Sequence, residues 1–152
     1  MSGPMKYVIQ WFRIFFGAHL IYSAMRHFLG FELIAKIHHP VARPFLDGLV
    51  MTGIYPAVKG IELFTGLLII SNLFVPLALV IEFPISVVIF ILNTFVVASN
   101  RQLFSGPQEL IVNTLLIVFY ARYYLPLIKP FQQPRPLWTA TKADLQAPPA
   151  SV

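Results

Sequence analysis

Ionisable side chains recur inside the most apolar stretches of this chain, and their spacing is helical. His19, Tyr22, Ser23 and Arg26 lie three, four and seven residues from the first of them, so one helix face carries all four. Arg13, Gly17, Ala24 and His27 form a second face of the same stretch. Further along, Lys59, Glu62 and Gly66 align, then Glu82, Ser86 and Asn93, then Glu109, Asn113 and Tyr120. Carboxylates among cations can pass a proton, grip a charged ligand or simply neutralise each other. A charge at the centre of a membrane helix costs at least about 2.5 kcal/mol, so such groups turn inward and find partners. Each helix then has one polar stripe on an apolar cylinder, and stripes that converge make a site.

Alternating helix directions sorts these residues by depth. Arg26, His27, Lys59, Glu62, Asn93, Glu109 and Asn113 fall in an outer half, and Arg13 and Glu82 in an inner half. The outer cluster, Arg26, His27, Lys59, Glu62, Asn93 and Asn113, is the candidate site for a ligand or partner, because it holds more cations than nearby acids. Arg13 with Glu82 reads as a structural ion pair that fixes register. Glu109, near the expected start of a helix, reads as compensation of the helix dipole.

Catalytic chemistry is harder to assemble. The chain has no Cys, which removes thiol catalysis, disulfides and thiolate-held metal. All four His precede residue 40, so no haem can be bridged by histidines of two different helices. A non-haem metal would need His19 or His27 with Glu62 or Glu82, and no His-containing pair has ligand spacing. No catalytic residue and no metal ligand is assigned. His19 reads as a hydrogen-bonded core residue, and His38 and His39 as loop residues.

The elements that position these side chains follow from hydropathy. The 152 residues are 57% hydrophobic and 11% charged, with a mean hydropathy of +0.74, against about a quarter charged in soluble domains. This predicts an all-α integral membrane four-helix bundle, with helices over about 6–29, 56–70, 74–99 and 107–128. The loop 30–55 holds a short amphipathic helix at Phe31 to Ile37, and residues 130–152 form a Pro-rich, flexible tail. Pro56, Pro76 and Pro107 suit first turns, and Pro84 lies inside the third helix.

The net charge of +5 has no basic face interleaved with aromatics, which argues against nucleic acid. It reports orientation instead. Lys6, Lys129, Arg135 and Lys142 balance against Lys36, Arg43 and Arg101, which predicts both termini in the cytoplasm.

Two segments, "RIFFGAHLIYSAMRHFLGFE" and "MTGIYPAVKGIELFTGLLIISNLFVPLALVIEFPISVVIFILN", resemble the DoxX-like family of small membrane proteins. The most specific part is Gly53, Lys59, Gly60, Ile61, Glu62 and Leu63, with Gly66, Asn72 and Pro76 behind. The resemblance implies a four-helix bundle in a bacterial cytoplasmic membrane, associated in some members with quinone-linked oxidation. Arg13 and Gly17 match the start of the family's first helix, Glu62 its acidic residue in helix two, and Arg26 a position where Lys is common. Near Asn93 many relatives have a His, and its absence here removes support for a redox or proton-transfer role at that position.

Three functions fit. The first is an accessory subunit of a larger membrane complex, with lipid, other membrane subunits and a bound quinone or lipid as partners and no cofactor within the chain. The second is a membrane oxidoreductase component acting on quinone, with Glu62 and Arg26 or Lys59 handling protons. The third is a small-molecule or proton transporter. Without Cys, interhelical His or a nucleotide-binding loop, electrons would have to arrive from another protein, which favours the first.

Overall fold

Long apolar runs broken by short polar turns dictate helices. The computed structural model describes residues 3–31 and 37–128, and every regular element among them is helical. Five α-helices follow in order: α1 Gly3–Phe28, α2 Ala42–Met51, α3 Ile54–Ile70, α4 Val75–Ile91 and α5 Gln102–Phe119. α4 runs on as a π-helical turn, Leu92–Val97, and α5 is followed by 3-10 turns at Ala121–Tyr123 and Leu125–Ile128.

The helix ends show why the turns sit where they do. After α1, Gly30 takes φ of +77°, its N–H bonds His27, and the Phe31 N–H bonds the Arg26 carbonyl at 2.8 Å. This is the paired closure that favours glycine just past a helix. α3 closes the same way, with Asn72 in the left-handed region and the Leu73 N–H on the Leu68 carbonyl. Asn tolerates that conformation better than other residues with a β-carbon.

The loop expected over 30–55 contains α2. Pro44 and Gly48 argue against a helix in sequence, but Pro44 occupies the first turn of α2, where a missing N–H leaves no carbonyl unbonded. The last helix also differs from the expected 107–128, because it begins at Gln102 and gives way to a tighter turn after Phe119. The short helix expected at Phe31 to Ile37 and the tail at 130–152 fall on residues 32–36 and 129–152, outside the described residues.

The four long helices pack in a ring: α1 on α3, α3 on α4, α4 on α5 and α5 back on α1. α1 and α3 come into close backbone contact at Gly17 and Gly66. α2 lies against α3 and the π turn at one end. Phe16, Leu20, Ile69, Val75, Ala78, Leu79, Val112 and Leu116 form the apolar core in the other half. The Tyr124 hydroxyl donates to the Pro76 carbonyl at 2.7 Å and ties the chain beyond α5 to the start of α4.

Val75–Val97 is the one continuous helix among the described residues that is long and apolar enough to cross a membrane. α2 and α3, bent by 81° at their junction, make a second candidate when taken together.

Candidate functional site

α3 presents Lys59 and Glu62 on one face, a turn apart, toward Ser23 of α1. The Lys59 ammonium donates to both Glu62 carboxylate oxygens at 2.7 Å and to the Ser23 hydroxyl at 2.8 Å. An ammonium has three protons, so these three acceptors exhaust it. Glu62 is 1% exposed, and the Tyr55 ring lies 5.3 Å from the Lys59 nitrogen. Within the trio the Ser23 hydroxyl keeps its own proton and each Glu62 oxygen a further lone pair.

Around it lies a cavity of about 530 Å³, at the end of the bundle where α1 and the π turn finish and α3 and α5 begin. Arg26, His27, Lys59, Glu62 and Asn93 all line it. Phe45, Leu46 and Leu49 of α2 supply one wall, and Ile85, Val88, Ile89 and Leu92 another. α2, which the sequence reads as loop, is therefore part of the site. Asn93 stands in the π turn, 3.5 Å from the Ser105 hydroxyl, and that turn meets α5 at Gly106. π turns are enriched at functional sites because they re-aim side chains.

Asn113 does not line the cavity. It is fully buried between helices, donating to Ser86 at 3.1 Å. Depth along α5 is legible in sequence, but the direction in which Asn113 points is set by packing against α4.

Glu109 is corrected in the other direction. Because α5 starts at Gln102, Glu109 sits beyond the second turn, too deep to compensate the dipole. It lines the cavity 8% exposed, with Oε2 3.5 Å from His19 Nε2. Its Oε1 is buried and has no hydrogen-bond partner among the described residues. Sequence reading missed this pair because the two residues lie on the first and last long helices; the one available signal was that Glu109 shares a stripe with Asn113. Arg101, Gln102 and Ser105, also missed, line the cavity from the start of α5. Arg26 leans over the Tyr22 ring at 5.5 Å and reaches the Phe31 carbonyl at 3.4 Å.

The expected ion pair of Arg13 with Glu82 is not formed. Arg13 donates to the Asn72 side chain in the turn after α3. Glu82, with no exposed surface, receives a hydrogen bond from the Thr65 hydroxyl at 2.7 Å. Both belong to the inner half, but Glu82 faces α3 above the apolar core and Arg13 reaches the chain reversal below it. Beneath Glu82 the polar column stops, and Phe16, Leu20, Ile69, Leu79 and Leu116 fill the bundle.

No group of three His, Asp or Glu side chains among the described residues is placed to hold a metal ion. The cavity offers an apolar wall, the charged side chains of Arg26, Lys59, Glu62, Arg101 and Glu109, and hydroxyl and amide groups at Ser23, Asn93 and Ser105. That composition suits recognition of a molecule that is mostly apolar with a polar end. Comparison with known protein families, with curated proteins and with solved structures gives no match.

Proposed function

We propose that this chain is an integral membrane protein of four spanning segments that holds an amphipathic ligand from the bilayer, a quinone or a lipid, as an accessory subunit of a larger complex. One observation carries the reading: its polarity is inverted. Glu62, Glu82, Thr65, Ser86 and Asn113 are buried, whereas Trp11, Phe64, Leu77, Val80 and Phe95 are exposed. Only 28% of the most apolar 18-residue stretch within Val75–Val97 is buried. Large outward apolar belts of this kind need hydrocarbon around them.

The resemblance to the DoxX-like family, and with it a bacterial cytoplasmic membrane, is part of the proposal. Its support is that the residues carrying the likeness act together: Arg13 with Asn72, Gly17 with Gly66, and Lys59 with Glu62. The Lys59 ammonium, all three of its protons engaged, supports a structural role over proton transfer at that pair. The apolar core beneath Glu82 weighs against a path through the bundle, which makes transport the lesser reading.

The test is gentle purification from the native membrane, with identification of bound lipids, chromophores and proteins. The expected result is co-purification of further membrane subunits with a stoichiometric lipid or quinone. Recovery in the soluble fraction, or as a pure ligand-free species with turnover of its own, would overturn the proposal.

A further inference from the structure

Resting on the membrane-binding reading, we infer that the cavity receives a lipophilic anion, its head at the guanidinium groups of Arg26 and Arg101 and its apolar chain along α2 and α4. The charged side chains of the cavity divide into those with a counter-charge inside the bundle and those without. The Lys59 ammonium is 2.7 Å from both Glu62 oxygens, and Glu109 faces His19 at 3.5 Å. Both carboxylates are buried. Arg26 is half-buried and Arg101 exposed, and neither has a carboxylate partner among the described residues. Arg26 spends one long hydrogen bond on the Phe31 carbonyl, which leaves most of its N–H donors unused. The Arg101 side chain makes no hydrogen bond or ring contact among the described residues. Nor does helix position explain it: Arg101 stands just before α5, where the positive end of the helix dipole disfavours a cation.

These two cations set the charge of the ligand. A cationic head would meet like charge, and a neutral one would leave both guanidinium groups without a counter-charge beside hydrocarbon. Phosphate or carboxylate oxygens supply that charge, and a planar guanidinium meets either with paired hydrogen bonds. The position of the head follows from the helix order. Arg26 lies in the last turn of α1 and Arg101 at the start of α5, whereas Glu62 and Glu109 lie further into α3 and α5 and repel an anion from that depth. Phe45 and Leu49 of α2, with Ile85 and Val88 of α4, then line the path of the apolar chain. The volume of about 530 Å³ lies within the range of small-molecule sites.

The probes are dodecyl phosphate and dodecanol, which share a chain and differ in charge, and inorganic phosphate, which has the charge without the chain. Binding to the full chain in phosphatidylcholine nanodiscs is measured with the two lipophiles at matched concentrations in the lipid phase. Dodecyl phosphate is expected to bind about tenfold tighter than dodecanol, the effect of charge-assisted hydrogen bonds, and inorganic phosphate at the same concentration is expected not to displace it. Arg26→Gln and Arg101→Gln are each expected to cut the preference to about threefold, half of it on a logarithmic scale. Arg122→Gln removes the same charge beyond α5, away from the cavity, and is expected to leave the preference intact. Equal binding of the two lipophiles, a preference that survives both cavity variants, or one that Arg122→Gln lowers as much overturns the anion assignment and leaves the cavity reading standing. Displacement by inorganic phosphate overturns the lipid source and makes the site one for a water-soluble anion. Binding of neither lipophile overturns both the inference and the reading beneath it.

Discussion

Gly17 and Gly66 lie back to back across α1 and α3: a β-carbon on Gly17 would come within 3.0 Å of the Gly66 carbonyl oxygen, and one on Gly66 within 2.9 Å of the Gly17 carbonyl. The absence of side chains at both positions lets the two backbones touch, as small residues do at membrane helix crossings.

Gly66→Ala is therefore expected to push α1 and α3 apart and destabilise the protein by about 1–3 kcal/mol. Gly60, on the same helix, has open space where its β-carbon would be, so Gly60→Ala is expected to be neutral or stabilising by about 0.5–1 kcal/mol. Thermal unfolding of the two variants in the same detergent checks the contrast. Equal Tm values would mean that the crossing is not close-packed in the membrane.

Lys59→Met should be among the most damaging single changes, since it strands the buried Glu62 carboxylate. The expected cost is about 3–5 kcal/mol. Adding Glu62→Leu to the same chain removes the stranded charge and is expected to recover most of the loss. If the double variant is no better than Lys59→Met alone, the pair does more than satisfy itself.

Asn72 has two tasks, its left-handed backbone and its acceptance of the Arg13 hydrogen bond. Asn72→Gly keeps the backbone and loses the acceptor; Asn72→Ala loses the acceptor and adds left-handed strain of roughly 1–2 kcal/mol. The Ala variant is expected to unfold at lower temperature than the Gly variant, by an amount that matches this difference.

The chain has no Cys, so orientation can be read from single introduced thiols without any background. If both termini lie in the cytoplasm, as the charge balance predicts, Cys at Arg101 is expected to react with a membrane-impermeant maleimide in intact cells, and Cys at Lys6 only after permeabilisation. The opposite pattern would place the cavity on the cytoplasmic side.

Sequence revealed depth better than direction. Helical spacing and alternating helix sense placed Arg26, His27, Lys59, Glu62, Asn93, Glu109 and Asn113 at one level, and all but Asn113 line one cavity. The same reasoning matched Arg13 to Glu82 by level alone, but which way a side chain points depends on how far each helix is rotated about its axis, and packing at Gly17 and Gly66 sets that. α2 was hidden for a local reason: Pro44 and Gly48 resemble loop residues until the helix start is known. The pairing of His19 with Glu109 had no local signal at all, because ninety residues separate them.

The π turn at Leu92–Val97 has a consequence for how this helix tolerates change in length. Such a turn accommodates one residue more than an α-helical turn of the same rise, so the chain contains an insertion already absorbed. Deleting Val96 is expected to restore ordinary pitch at the end of α4 without turning the helix before it, because the residue removed is the extra one. Asn93, on the α4 side of the deletion, is expected to stay near Ser105 while the bundle still folds. A deletion variant that fails to accumulate would instead mark the extra residue as part of the contact with Gly106, and the length of α4 as set by its neighbour.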